Sequence, residues 1–321
     1  MPVGKSDKGF SAQPSEVYFG MQTSLNMIDW WHEEIGSEKF EHSGLLNTYI
    51  LLPNLVYGLS ERLNLAFNVS FGARIMRWHS TEESIHHRNE STLSSFRNAA
   101  GSIFGDSRIL LRYLINESGS ELGKRFYLGT GIVIPGNSVL TSDPFFLDGE
   151  LYKSHRHFSL SSGAYKGIIE GQLFLKRNLN PVFLGGFIVI EHPFSESKYG
   201  YLPSTMTTIS LSSSFMRYDQ LMSSYDFGLM FAHSSNAKWN DTLEPNSNSF
   251  AIIPSVGFLF NTNFGAVSMN IQRPFMVYGV LAVNEGDLNQ RSNVWQLSLA
   301  CLLYTSPSPR DATLSRMPSS A

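Results

Sequence analysis

The chain has 321 residues, a formal charge of −3, 42% hydrophobic side chains and only 16% charged ones. That balance excludes an intrinsically disordered chain, and no apolar run nears the ~18 residues a spanning helix requires, which excludes a helical membrane protein but not a membrane barrel. Charge so far below the ~25% of ordinary soluble domains implies a surface solvated by Ser, Asn and Gly, or one not wholly in water.

Met1-Pro2-Val3-Gly4-Lys5 is followed by no apolar stretch of signal-peptide type. An exported protein needs one, so an export signal is expected upstream of Met1. Residues 1–15 are expected to form a flexible N-terminal segment. From residue 16 onward period-two alternation is widespread and helical periodicity is hard to find. Strands are predicted near 16–27, 43–57, 62–76, 106–115, 125–135, 157–176, 181–192, 204–217, 223–233, 250–260, 264–278 and 292–300. Each can supply the ~9–11 residues of a tilted spanning strand. In 63–72, Leu63, Leu65, Phe67, Val69 and Phe71 share one face, and Asn64, Ala66, Asn68, Ser70 and Gly72 the other. The same split recurs at 225–232, 266–272 and 294–299.

The connections alternate in length. GLSE around 58–61, NESGSELGK at 116–124, KRNLN near 176–180, DQLMS near 219–223 and NTN at 261–263 are short or turn-like. Between them fall long polar loops at about 28–42, 77–105, 136–156, 193–203, 234–249 and 279–291. A soluble β-protein has no reason to sort its loops by side, whereas an outer-membrane barrel has short periplasmic turns and long external loops. The predicted fold is therefore all-β: a closed antiparallel up-and-down transmembrane β-barrel of about twelve strands over residues 16–300, with both termini on the short-turn side. A soluble β-sandwich that binds a partner is the competing fold; its oily faces would pack against a second sheet.

The last stretch, CLLYTSPSPRDATLSRMPSSA at 301–321, resembles the conceptual translation of a sequencing-library transposase adapter and is set apart from the fold. A Ser/Pro-rich disordered tail is the alternative. The lone cysteine, Cys301, falls in this stretch, so the preceding residues hold no disulfide and no Cys nucleophile.

If the oily face is outward, charged strand residues should line the lumen, because Arg or Lys facing lipid at mid-depth costs ~2–4 kcal/mol. The candidates for a substrate path are Arg74 in the third strand, Arg108 and Arg112 in the fourth, Lys166 and Glu170 in the sixth, and Asp226 in the ninth. Within each of the fourth and sixth strands the two charges are four residues apart, hence on one face. Opposite charges so placed either pair up and plug a narrow barrel or form a weakly selective polar path. An interior ion-pair network without any transport role is the plainer reading.

Four segments carry a family likeness: Gly105-Asp106-Ser107-Arg108 leading into ILLRY, GTGIVIPGN at 129–137, PNSNSFAIIPSVGFLF at 245–260 and QRPFMVYGVLAVN at 272–284. In content and order they resemble the outer-membrane transporter family associated with the phenol meta-cleavage pathway. Where that family usually has Pro-Thr-Gly at the end of the fifth strand, this chain has Pro135-Gly136. The resemblance implies a barrel in the outer membrane of a Gram-negative-type bacterium, in contact with outer-membrane lipid, that moves small hydrophobic or aromatic molecules without chemistry.

Two sharper readings compete. Ala232-His233-Ser234-Ser235-Asn236 resembles the His-x-Ser-Asn element of outer-membrane lipid hydrolases, with Asn246 or Asn248 to orient the histidine. Yet His157-Phe158-Ser159 shows how readily Ser-rich loops produce that spacing. A metal reading rests on nine His beside the long loops, including His86-His87, His155 and His157 with Glu82 and Glu83. No recognisable ligand spacing links them, so exposed loop residues are expected there and neither metal nor cofactor is assigned. With no phosphate-binding Gly-rich loop and no basic stripe, nucleic acid is not an expected partner.

Overall fold

The computed structural model describes Lys8 and residues 11–34, 38–84, 87–119, 122–145, 155–216, 224–245, 247–262, 265–279, 281–282 and 289–304. Twelve antiparallel strands close on themselves. They are β1 (Val17–His32), β2 (His42–Gly58), β3 (Leu63–Trp78), β4 (Phe104–Glu117), β5 (Gly123–Ile134) and β6 (Lys166–Lys176). There follow β7 (Phe183–Pro193), β8 (Met206–Met216), β9 (Ser224–Ser234), β10 (Ser249–Thr262), β11 (Gly265–Gln272, resumed at Phe275–Tyr278) and β12 (Gln290–Tyr304). Arg273-Pro274 interrupts β11 because proline has no N–H to give the ladder. Consecutive strands pair throughout, and β12 returns to β1 from Tyr18↔Tyr304 to His32↔Gln290. Closure leaves no free edge, which a backbone surrounded by hydrocarbon cannot tolerate. Cys301 to Tyr304 continue β12 opposite Met21 to Tyr18; a backbone ladder accepts any residue but proline there.

The burial alternates as the period-two reading requires, with the apolar residues outward. In β6, Lys166, Ile168, Glu170, Gln172 and Phe174 are buried, while Ile169 is 65% and Leu173 54% exposed. In β8, Leu211 is 53% exposed beside buried Ser214. Among the described residues these outward Leu, Ile, Phe and Val side chains meet no second layer of strands, and the closed barrel replaces the sandwich, with a belt built for lipid.

Besides the end of β12, which runs to Tyr304 rather than 300, two predicted boundaries differ. β1 runs to His32 rather than ending near 27, because beyond Asn26 its inward residues, Ile28 and Trp30, become apolar and the oily-out pattern inverts. The sixth strand begins at Lys166, not 157. Residues 157–165 mimic alternation, but Gly163 has φ +74° and the Ser161 N–H donates to Ser138 O, which folds the segment into the barrel mouth.

Twelve strands enclose more space than the eight whose interior side chains alone can fill, and fewer than the porins that keep a wide channel. Two pieces of the chain use that space. From the short-turn end, Ala12 is fully buried against Val56, Ala66, Leu110, Val133 and Ile168, and its N–H donates to Asn64 Oδ1 at 2.7 Å. From the outer end, Phe158 packs with Ile28, Trp30, Met76 and Val294 of the inner wall.

Candidate functional site

All six sequence-derived lumen residues lie on the inward phase of their strands, and register explains how four of them meet or align. On β4, β5 and β6, three rows run across the inner wall: Arg108↔Val133↔Lys166, Leu110↔Gly131↔Ile168 and Arg112↔Gly129↔Glu170. An apolar row thus separates two charged ones. Gly129, lacking a side chain, leaves room for Arg112 to reach over the middle strand. A Cβ there would sit 3.3 Å from Glu170 Oε1 and 3.4 Å from Arg112 Cγ.

Glu170 is the hub. Its carboxylate accepts from Arg112 Nε at 2.6 Å and Nη2 at 3.3 Å, from Gln172 Nε2 at 2.6 Å, and from Lys8 Nζ of the N-terminal segment. Lys8 also lies over the Phe187 ring, 5.4 Å from its centroid. Glu170 is 1% and Arg112 4% exposed, so each charge is sustained by its partners rather than by water. Two rows outward, Arg108 Nε donates to Glu191 Oε1 at 2.9 Å, and Lys166 Nζ is 3.6 Å from Asp106 Oδ2. Asp106 Oδ1 also accepts the Gly136 N–H at 3.4 Å, which joins two of the family-like segments at the barrel wall. A Cβ on Gly136 would lie 2.2 Å from Gly105 O, so Pro135-Gly136 makes a contact that no larger residue allows.

Arg74 belongs to the outer plug: its Nη1 donates to Ser159 O at 3.3 Å, its Nε to Thr48 Oγ1 at 3.2 Å, and its guanidinium covers the Phe158 ring at 5.2 Å. Beside it, Arg156 is fully buried and donates to Ser91 O at 2.6 Å and to Ser94 O, pinning the same segment to the β3–β4 loop. Burial pushes the nearby Glu90 carboxyl up to about 7, against the pull of Arg156, Arg88 and Arg74. Asp226 stands apart, held by the Ser214 and Ser224 hydroxyls. Opposite charges on β4, β6 and β7 therefore pair, and the chain itself enters the lumen from both ends. Sequence reasoning missed Lys8, Glu191 and Arg156; the partners of Glu170 and Arg108 lie 162 and 83 residues away in sequence, beyond any local signal.

The hydrolase-like element is engaged otherwise. Ser235 Oγ accepts the Thr205 N–H at 2.9 Å and donates to Asn236 O at 3.4 Å, while His233 sits on the outward phase of β9. Asn246 lies outside the described residues. The loop histidines are not uniformly exposed: His42 is fully buried, His32 is 9% exposed, and both face His87. His86 lies outside the described residues.

Fold and site together define a closed membrane β-barrel with a charged lumen into which its own chain folds. No family model and no curated protein matches the chain. Among solved structures, an outer-membrane channel from Pseudomonas putida F1 aligns over 93% of this chain and 100% of its own, at 13% identity and a TM-score of 0.58. A TodX monoaromatic hydrocarbon channel (deltaS2 mutant) aligns over 91% of each chain at 11% identity and 0.43. A FadL homologue from Pseudomonas aeruginosa aligns over 95% of this chain and 96% of its own at 9% and 0.42. The first likeness shows that this chain shares that channel's fold.

Proposed function

We propose that this protein is a bacterial outer-membrane channel through which small hydrophobic or aromatic molecules pass by passive or facilitated movement along the lumen, as the resemblance to the phenol meta-cleavage transporter family implies. The observation that carries the reading is the charged lumen with pieces of the chain inserted at each end. The inserted pieces are held by polar contacts, Lys8 to Glu170 and Arg74 to Ser159 O, together with small apolar clusters around Ala12 and Phe158. The fold shared with the Pseudomonas putida F1 outer-membrane channel supports the same reading. On it, Arg74, Arg108, Arg112, Lys166, Glu170 and Asp226 line the path, and their pairing sets how much of the path is open at a given moment.

The test is passage. Purified protein in liposomes should admit a small aromatic carboxylate faster than protein-free liposomes do, and planar bilayers should show discrete openings. Absence of both, in the wild type and in Lys8→Ala, would overturn the proposal. So would a robust phospholipid or lipid A cleavage activity that His233→Ala/Ser235→Ala abolishes.

A further inference from the structure

Three imidazoles converge at the outer mouth of the barrel, away from the charged rows. His32 ends β1, His42 begins β2, and His87 comes from the β3–β4 loop, and one ring nitrogen from each lies within 4.8 Å of the others. The ring centroids form a near-equilateral triangle, at 4.7 Å for His32–His42, 5.2 Å for His32–His87 and 5.1 Å for His42–His87. His32 Nε2 and His87 Nε2 are 3.1 Å apart. We propose that His32, His42 and His87 form a binding site for one borderline first-row divalent cation of the Zn2+, Ni2+ or Cu2+ class, with Glu38 as its carboxylate.

Tautomers and charge support this. His32 Nδ1 faces the carbonyl oxygen of Glu33 at 2.7 Å; a carbonyl only accepts, so Nδ1 carries the proton and Nε2 presents its lone pair to the centre of the triangle. A backbone carbonyl behind a ligating imidazole is the usual outer partner of a metal-bound histidine. Glu38 Oε2 lies 2.9 Å from His42 Nε2. The Ser84 hydroxyl donates to the same oxygen at 2.9 Å and accepts the His87 N–H at 3.0 Å, so one short chain of bonds positions both carboxylate and third ligand. The charges acting on His32 are the carboxylates Glu38 and Glu33, which favours a cation.

Dimensions agree as well. Tetrahedral nitrogen ligands ~2.0–2.1 Å from an ion stand roughly 3.3 Å apart, a value bracketed by the 3.1 Å and 4.8 Å separations, so a small closing movement completes the site. Trp30 lies 4.8 Å from His87 on one side, and Trp78 stacks on it at 5.4 Å and 18°. These rings flank the third imidazole and limit its rotation. Imidazole-rich sites select Zn, Ni and Cu over Ca and Mg, which prefer all-oxygen ligands. An occupied site would tie the β1–β2 connection to the β3–β4 loop.

Tag-free protein in detergent, stripped with a chelator and dialysed, is titrated with Zn2+ and separately with Co2+ as a spectroscopic probe. The expected result is one equivalent bound, with the visible absorption of four-coordinate Co2+ and its bleaching by Zn2+. His87→Ala, a loop substitution outside the strands, should lower affinity by at least the ~10–100-fold that losing an outer partner costs, whereas His192→Ala should not. Featureless, octahedral-type Co2+ absorption in the unmutated protein overturns the site, as does stoichiometric binding that His87→Ala leaves unchanged. These readouts do not depend on solute passage, so the site and the channel reading fail separately.

Discussion

Glu170→Gln exchanges a carboxylate for an amide of the same shape and leaves Arg112 and Lys8 facing it without a counter-charge. Both cations are buried, at 4% and 8% exposure. At an effective dielectric constant of 20 and ~4 Å, each lost charge pair is worth ~4 kcal/mol before solvation is counted, and breaking a buried pair from one side costs ~3–5 kcal/mol net. Arg112 is fixed in a strand and must either stay unpaired or turn away. Lys8 lies outside the strands and its long side chain can turn away, which relieves its part of the cost and loosens the inner plug. Urea unfolding in lipid should therefore show a loss of about 3 kcal/mol, and bilayer recordings should show longer or larger openings. Lys8→Ala should reproduce the openings with little of the stability loss, because Glu170 keeps its bidentate bond to Arg112. If Glu170→Gln unfolds within about 0.5 kcal/mol of the wild type and conducts no differently, the pairing is not what holds the lumen.

The remaining predictions concern other layers of the structure. Gly129→Leu places a side chain where Arg112 crosses to Glu170 and should cost about 1–3 kcal/mol by urea unfolding, with Gly129→Ala costing clearly less; equal effects would contradict the row geometry. Leu211→Arg, on the outward face, should lose ~2–4 kcal/mol in lipid, and a neutral result would place that face elsewhere than in hydrocarbon. Glu90 is held up to about 7 against an ordinary 4.5, so its contribution to stability is complete below pH 4.5 and is lost as the pH rises through 7. Between pH 4.5 and 8 the wild type should therefore lose about 3 kcal/mol relative to Glu90→Gln, and parallel pH profiles would refute the burial argument.

Much of the barrel was legible because lipid imposes a simple rule on it. Leu63 to Phe71 read as a strand since every second residue had to be apolar, and loop length then sorted the two ends. The rule fails where lipid is no longer the neighbour. Ile28 and Trp30 face inward beneath Phe158, so the pattern inverted and the end of β1 was cut short. Residues 157–165 alternate by composition yet turn at Gly163. The inward charges were legible one at a time, since each sits in the phase opposite the oily residues. Their partners were not: Arg112 reaches Glu170 only through the register at Gly129, and Lys8 enters from a segment with no periodicity at all. The histidine triangle was invisible for the same reason, because its members come from three elements that only barrel closure and loop folding bring together.

The central claim is that the greasy phase of each strand meets hydrocarbon and the opposite phase meets the lumen. Single spin labels, in a Cys301→Ser background, at Leu211, Phe227 and Leu297 and at the adjacent Ser212, Gly228 and Ser298 test it directly in liposomes. Relaxation by dissolved oxygen, which concentrates in lipid, should be strong at the first three positions and weak at the second three, alternating with every residue. Loss of that alternation, or its reversal, would contradict the account.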